Sequence, residues 1–426
     1  MKRLLQLSLL LLSSSTLSAQ WAIIHEDATE EFGAAHFHSA DTGFVGSSYT
    51  GTIFRTYNGG TTWTPHETPF MSSDIQAIMF PSTEIGYAGG ANMTFMPRQM
   101  AMKTTDGGNT WDTLHVSDTT PYINFRRVEF ANNNYGMFLS NEIYITNDGA
   151  TTFSLMPKPK DDAGTELLYS YFYDATMLMP DHFVTSCVWH ESDEATPEHD
   201  VMGIFTTTDG GTTWTERYRD SLAIFNLYFA NHDHGWATTG SNVLHTTNAG
   251  ATWMKHPLPP LGAGGFIGKL LFIDEENGWI SINQYTGTTQ SGQLYKTSDG
   301  GATWALELSI PDRMITSFDM ITEEKGYITT PNRIYKKSEA PSSTKPQLIN
   351  ENKINVYPNP AKDKIEIDYD AQTRVTAVKL IDIAGRIVKS FDAQAATLSI
   401  AGVASGNYLL QITTEEGIVV KKLAIE

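Results

Sequence analysis

Thr207-Thr208-Asp209-Gly210-Gly211-Thr212-Thr213-Trp214 is written, with small changes, six times along the chain. The other copies are Thr56 to Trp63, Thr104 to Trp111, Thr146 to Phe153, Thr246 to Trp253 and Thr297 to Trp304. A repeat of this kind sets an architecture, because each copy marks one supersecondary unit that cannot bury its apolar face alone. The third position (Asn58, Asp106, Asp148, Asp209, Asn248, Asp299) accepts hydrogen bonds from the backbone of its own loop, and the following Gly supplies positive φ. β-Branched and aromatic residues then start the next strand. The closing ring (Trp63, Trp111, Phe153, Trp214, Trp253, Trp304) is expected to bury itself against a neighbouring sheet. All of this is structural work.

A second pattern accompanies the octets: an aromatic residue, a polar turn, then Gly followed by another aromatic. It reads Phe37 to Gly43-Phe44, Phe80 to Gly86-Tyr87, Phe229 to Gly235-Trp236 and Phe272 to Gly278-Trp279. Phe130 to Gly136-Met137 and Met320 to Gly326-Tyr327 are weaker copies, and Phe172 to Phe183 is a degenerate one with an insertion. Seven units therefore stand against six octets. A mean spacing of about 48 residues suits four short antiparallel strands and their turns, which is a propeller blade. The seventh unit stops after Arg333-Ile334-Tyr335 without an octet, while Trp21-Ala22-Ile23-Ile24-His25 matches the end of an octet and the residues after it elsewhere. The N-terminal segment is thus expected to close the ring as the outer strand of the last blade.

Lys2-Arg3, the apolar run Leu4 to Leu12 and a Ser-rich stretch ending at Ala19 form a secretory signal peptide over residues 1–19. No later stretch has the roughly 20 apolar residues of a transmembrane helix. Cys187 is the only cysteine, so internal disulfides and multi-cysteine metal clusters are excluded. The repeat region 20–339 must be stabilised by its core alone, and it is long enough to build one. The formal net charge of −19 becomes more negative once Lys2 and Arg3 are removed, which makes nucleic acid and anionic lipid poor partners. Residues 340–349 have a linker composition. A second domain over 350–426 alternates through Lys364 to Tyr369, Val375 to Ile381, Arg386 to Phe391, Tyr408 to Thr413 and Val419 to Ile425, a small β-sandwich.

The octet resembles the Asp-box of the BNR-repeat propellers, shared by sialidases, sortilin-type receptors, xyloglucan-active hydrolases and photosystem II assembly factors. Asn58 and Asn248 depart from its Asp, and Ala150 and Ala249 from its Gly. The resemblance implies an all-β chain, a seven-bladed β-propeller followed by an Ig-like β-sandwich. In that family the box lies away from the usual ligand site, so it identifies a fold and not a chemistry. The C-terminal domain resembles the sorting domain of the type IX secretion system. The matching residues are Val356-Tyr357-Pro358-Asn359-Pro360, Asp382-Ile383-Ala384-Gly385-Arg386, the strand through Gly406-Asn407-Tyr408, and the basic-apolar end Lys421 to Ile425. That resemblance implies the export machinery as a partner, a secreted or cell-surface location, and cleavage of the domain afterwards.

If the octets mark one face, the opposite face carries three long loops, 91–99, 188–200 and 283–293. Tyr49, Phe95, Trp189 and Tyr285 from four blades, together with Arg98, form the candidate ligand face for a protein or glycan. Their alternative is to cover the bases of their own loops. The loop His190 to Asp200 concentrates two imidazoles and five carboxylates but lacks zinc or calcium spacing, and reads as a solvated acidic loop. His36, His38, His232 and His234 have no visible partner and read as packed or solvated histidines, and Cys187 as a buried or incidental thiol. No metal or cofactor is expected. A sialidase would need its Arg-Ile-Pro signature, which is absent, and a xyloglucanase-like enzyme places its acids between two propellers. The expectation is a non-catalytic recognition propeller, with an extracellular glycoside hydrolase as the alternative.

Overall fold

The computed structural model describes residues 20–92, 99–120, 123–160, 167, 170–190, 200–338, 354–369, 374–382, 387–392, 395, 397–414 and 418–426. Every regular element among them is a β-strand. Seven four-stranded antiparallel sheets follow the repeat: blades 1 to 7 begin at Phe32, Ser73, Arg127, Tyr171, Phe225, Gly265 and Ser317. First strands of successive blades pack on one another, so they form the inner wall of a seven-bladed β-propeller. The signal segment 1–19 and the whole linker 340–349 lie outside the described residues.

Ring closure uses both ends of the repeat. Gln20–Glu26 pairs antiparallel with Arg333–Ser338, placing Trp21 opposite Lys337 and Glu26 opposite Arg333. Trp21 donates its indole N–H to Glu307 (2.8 Å) and packs with Trp279 and Met320, as an octet tryptophan would in a complete blade. Blade 7 meets blade 1 through the Tyr327 ring stacked on Phe37 (3.5 Å) and Thr329 Oγ1 bonded to the Gly33 carbonyl (2.8 Å).

The octet geometry explains its sequence. Thr104 Oγ1 accepts from the amides of Asp106 (3.3 Å) and Gly108 (2.9 Å), while Asp106 accepts from the amide (2.9 Å) and hydroxyl (2.7 Å) of Thr110. Asp148, Asp209 and Asp299 repeat these bonds. Asn58 does the same work with an amide, Oδ1 receiving the Thr62 N–H and Nδ2 donating to the Thr62 hydroxyl. Ala150 and Ala249 hold positive φ (66° and 56°) where other copies have Gly, a local strain that the surrounding bonds must hold.

The second pattern is a packing rule. Each first-strand Phe lies flat over the Gly across the hairpin: a Cβ on Gly43 would stand 2.1 Å from Phe37, and one on Gly86 2.4 Å from Phe80. On its other side the Phe receives the Gly-linked aromatic of the preceding blade, as in Phe44 on Phe80 (3.9 Å), Tyr87 on Phe130 (3.6 Å) and Trp236 on Phe272 (3.6 Å). The octet ring completes the group edge-on, as in Phe80 with Trp111 (5.9 Å) and Phe229 with Trp253 (6.1 Å). The octet rings therefore do sit at the seams between blades, but only Trp111 is buried. Trp63, Phe153, Trp214, Trp253 and Trp304 keep an outer edge in solvent, because they cap the seam from outside.

Blade 4 departs from the expected alignment. Pairing sets Met177, not Phe172, opposite Phe183, so Met177 takes the Phe position and Phe183 the Gly position. A flexible Met can move aside for a side chain where a rigid Phe ring cannot.

The C-terminal unit has its own core. A three-stranded sheet (Ile354–Tyr357, Lys364–Tyr369, Thr397–Ser399) and a four-stranded one (Ile387–Phe391, Val375–Asp382, Gly406–Thr414, Ile418–Ile425) enclose Ile354, Ile365, Val378, Leu380, Leu398, Leu410, Ile412 and Leu423. Two of these strands, 354–357 and 397–399, were not expected from the alternation. Asn359 of the Tyr-Pro-Asn-Pro stretch grips the last strand, donating to the Lys422 carbonyl (2.8 Å) and accepting the Ala424 N–H (2.9 Å). Tyr408 donates its hydroxyl to the Ala404 carbonyl (2.8 Å). Gly385 lies outside the described residues.

Candidate functional site

The turns between second and third strands, and the connections between blades, lie opposite the octets. Tyr49 tops the blade 1 turn and is 62% exposed, and Tyr285 ends the second strand of blade 6 and is 57% exposed. Trp189 does not join them. The second strand of blade 4 runs to His190 and pairs Trp189 with Val201, so the ring is a strand residue and only 4% exposed. It lies along Gly203, which leaves space for it, against Phe205 (5.5 Å) and under the Arg219 guanidinium (5.0 Å). Trp189 is therefore core and not ligand face. Phe95, Arg98 and the acidic stretch 191–199 lie outside the described residues.

Arg313 and Arg333 come together on this face, but both engage Asp312, and Arg333 also bonds Glu26 (2.8 Å). Their charge is spent within the fold. Cys187 is fully buried, and burial pushes its thiol up to about 12, which makes it an unreactive core residue. Among the described residues no three His, Cys, Asp or Glu groups converge as a metal site.

The histidines find partners that the sequence did not reveal. His36 stacks on Phe80 (6.0 Å) with Asp319 4.0 Å away, and burial lowers its pKa against the pull of Asp319. His232 meets Asp233 (2.6 Å), and His234 approaches Glu275 (3.7 Å) and the His245 ring (5.9 Å). Burial holds His245, stacked on Trp236 (4.8 Å), down at about 4.

Sequence reasoning missed the polar lining of the inner strands. Arg127 pairs with Glu129 (3.2 Å) and Asp174 (3.1 Å) and donates to the Leu227 carbonyl (2.7 Å). Glu129 also accepts from Thr176 (3.0 Å), Asp174 from the Leu227 amide (2.7 Å) and Asp319 from the Phe37 amide (2.7 Å). Lys269 donates to the Phe318 carbonyl (2.7 Å), and burial lowers its pKa. Burial pushes the Tyr228 hydroxyl up to about 12, with Asp319 adding to it. Each carboxylate ties one blade to the next. The signal was a charged residue one or three positions from a first-strand aromatic, which looks like ordinary strand polarity.

A second missed set is the cation just before the octet. Arg55 and Lys103 donate to the octet carbonyls Gly107 O and Gly149 O of the next blade (2.7 Å each), and Lys336 to Gly59 O (2.9 Å). Lys103, Lys296 and Lys336 also lie 5.5 Å from the rings of Tyr87, Trp279 and Tyr327. A basic residue before the first Thr of four octets (Arg55, Lys103, His245, Lys296) was there to be read.

A profile described as Photosynthesis system II assembly factor YCF48 matches residues 13–161 and 200–333, more than half of the chain. The chain belongs to this family. The unmatched stretch covers the inner strands of blade 4, where Met177 and Phe183 replace the repeat's Phe and Gly. A second profile, the Secretion system C-terminal sorting domain, matches residues 355–426 and indicates export to the surface or the medium by the type IX machinery. No curated protein matches the sequence. Among solved structures, the chain is similar to YCF48 bound to D1 peptide (18% identity, TM-score 0.54, 75% of this chain and 96% of that one). It is also similar to the xyloglucanase of Xanthomonas campestris (12%, 0.52, 94% and 60%) and to PorZ of Porphyromonas gingivalis, a surface component of the type IX secretion system (14%, 0.50, 93% and 59%). At these identities the likeness is one of propeller fold. The chain spans about three fifths of the latter two proteins.

Proposed function

We propose that the propeller is an exported recognition module that holds a protein or glycan partner on the face opposite the octets and does not turn it over. The observation that carries this reading is the pair of exposed tyrosines, Tyr49 and Tyr285, on turns of a rigid ring. Aromatic rings presented this way stack on sugars or fill protein pockets, giving binding without chemistry. The inner-strand carboxylates Glu129, Asp174 and Asp319 are committed to bonds between blades, which supports a structural role for them. That a propeller of this family is described with a bound peptide favours a polypeptide partner.

Probing glycan and peptide arrays with the secreted protein tests the reading. Captured ligands should be lost, with the melting temperature unchanged, when Tyr49 and Tyr285 are both replaced by Ala. Undiminished capture by that double variant would rule out this face.

A further inference from the structure

We propose that the rim of blade 1 is a docking surface for a partner segment that carries Lys or Arg beside an apolar side chain. The proposal rests on the reading that the face opposite the octets binds the ligand, and narrows it to one place and one chemistry.

Two loops are welded together there. Ser72 donates its N–H to the Thr50 carbonyl (3.1 Å), and Thr68 Oγ1 donates to the Gly51 carbonyl (2.6 Å). Gly51 holds φ at 77° and approaches so closely that a Cβ would stand 1.8 Å from the Phe70 carbonyl oxygen. Phe70 is buried beneath, while Tyr49 and Met71 remain on top, Met71 being 73% exposed. No other large apolar side chains among the described residues are as exposed as these two. Their backbone is fixed in advance, so a partner would pay little to order it. A tyrosine beside a thioether also adapts to varied apolar groups.

The border of this patch is acidic. The connection from the closing strand into blade 1 runs alongside, Ser48 N–H bonding the Glu31 carbonyl and Thr50 Oγ1 bonding Glu30 (3.1 Å). Asp74 accepts from Gln76 (2.8 Å) and Ser48, and Asp27 from Thr29. Glu30 and Asp74 thus border Tyr49 and Met71 with neutral partners only, Glu31 stands in the same connection, and none of the three forms an ion pair among the described residues. Further round the same face, by contrast, Arg313 and Arg333 are matched by Asp312 and Glu26. Among the described residues the unbalanced charge is therefore at blade 1, where it draws in a cation and repels an acidic ligand. Burial raises the Asp74 pKa, a penalty that an arriving ammonium or guanidinium would relieve.

The test is fluorescence anisotropy on the secreted protein with three labelled peptides: alternating Lys-Leu, its Glu-Leu counterpart and a Lys-Ser counterpart, at about 0.05 and 0.3 M salt. The Lys-Leu peptide should bind about tenfold more tightly than either other peptide, and less tightly at the higher salt. Tyr49→Ala with Met71→Ala, and separately Glu30→Gln with Glu31→Gln and Asp74→Asn, should each weaken it about tenfold at unchanged melting temperature. Leu155→Ala, at an exposed position on the outer strand of blade 3, should leave it unaffected. Equal binding of all three peptides, no binding of Lys-Leu, or insensitivity to both sets of substitutions overturns the proposal. If Tyr285→Ala alone abolishes capture of an array ligand, the blade 1 site falls while the ligand face stands. If no substitution on this face matters, both fall.

Discussion

A carboxylate that accepts several hydrogen bonds in an open turn is a stabilised anion, and Asp148 is such a group. The Thr152 hydroxyl and amide, with help from Thr146 and Thr151, hold it at about 2. Its folded pKa is thus depressed from the ordinary value of about 3.9. Its contribution is present above about pH 4 and lost as pH falls towards 2. Asn58 and Asn248 show that an amide makes the same bonds without titrating. Asp148→Asn should therefore match the parent near neutrality and unfold less steeply between about pH 4 and 2 in denaturant titrations. An unchanged acid slope would mean that the octets do not govern acid stability. Trp214 is a weaker anchor than its sequence suggests. Half-exposed, with its indole N–H on the Pro157 carbonyl (2.9 Å), it should cost about 2 kcal/mol on replacement by Ala, below the range for fully buried rings. A loss as large as that of Trp111→Ala in the same melts would refute the distinction.

At the level of strands and blades, the seams are stapled twice, by stacked rings inside and by cations reaching the next octet outside. Lys103 does both jobs, lying over Tyr87 and donating to Gly149 O. Lys103→Met keeps the aliphatic stem and should lower stability by about 1–2 kcal/mol, read by chemical denaturation. A neutral result would reduce these staples to decoration. Seven blades and the closing strand were legible because the octet and the Phe-to-Gly hairpin recur in register, and Trp21 copies the residue that ends an octet. Blade 4 was not, because Met177 and Phe183 change together: with no Phe ring above it, the Gly is no longer required. Trp189 was misread for a related reason. Val188-Trp189-His190 looks like the start of a loop, yet its pairing with Asp200 to Met202 extends the hairpin and turns the ring inward. The inner-strand ion pair of Arg127 with Asp174 joins two consecutive blades across 47 residues of sequence, and no local pattern announces it. The exposure of Tyr49 and Tyr285 was legible because each sits beside turn residues, where an aromatic has little to pack on.

For the whole molecule, the described residues divide into two compact units, each with its own core. Removing residues from Asn350 onward should leave the ring folded but confined to the cell envelope, since the sorting domain is lost and the blades are not. Equal appearance of truncated and full-length forms in the medium of a host with type IX machinery would contradict this. The central claim is recognition without turnover. The most direct measurement is to incubate the purified propeller in excess with an array-captured ligand and follow the ligand by mass spectrometry. The account predicts a ligand that stays bound and intact. Release of a cleaved product, abolished by a single carboxylate substitution on the face of Tyr49 and Tyr285, would make the protein a hydrolase.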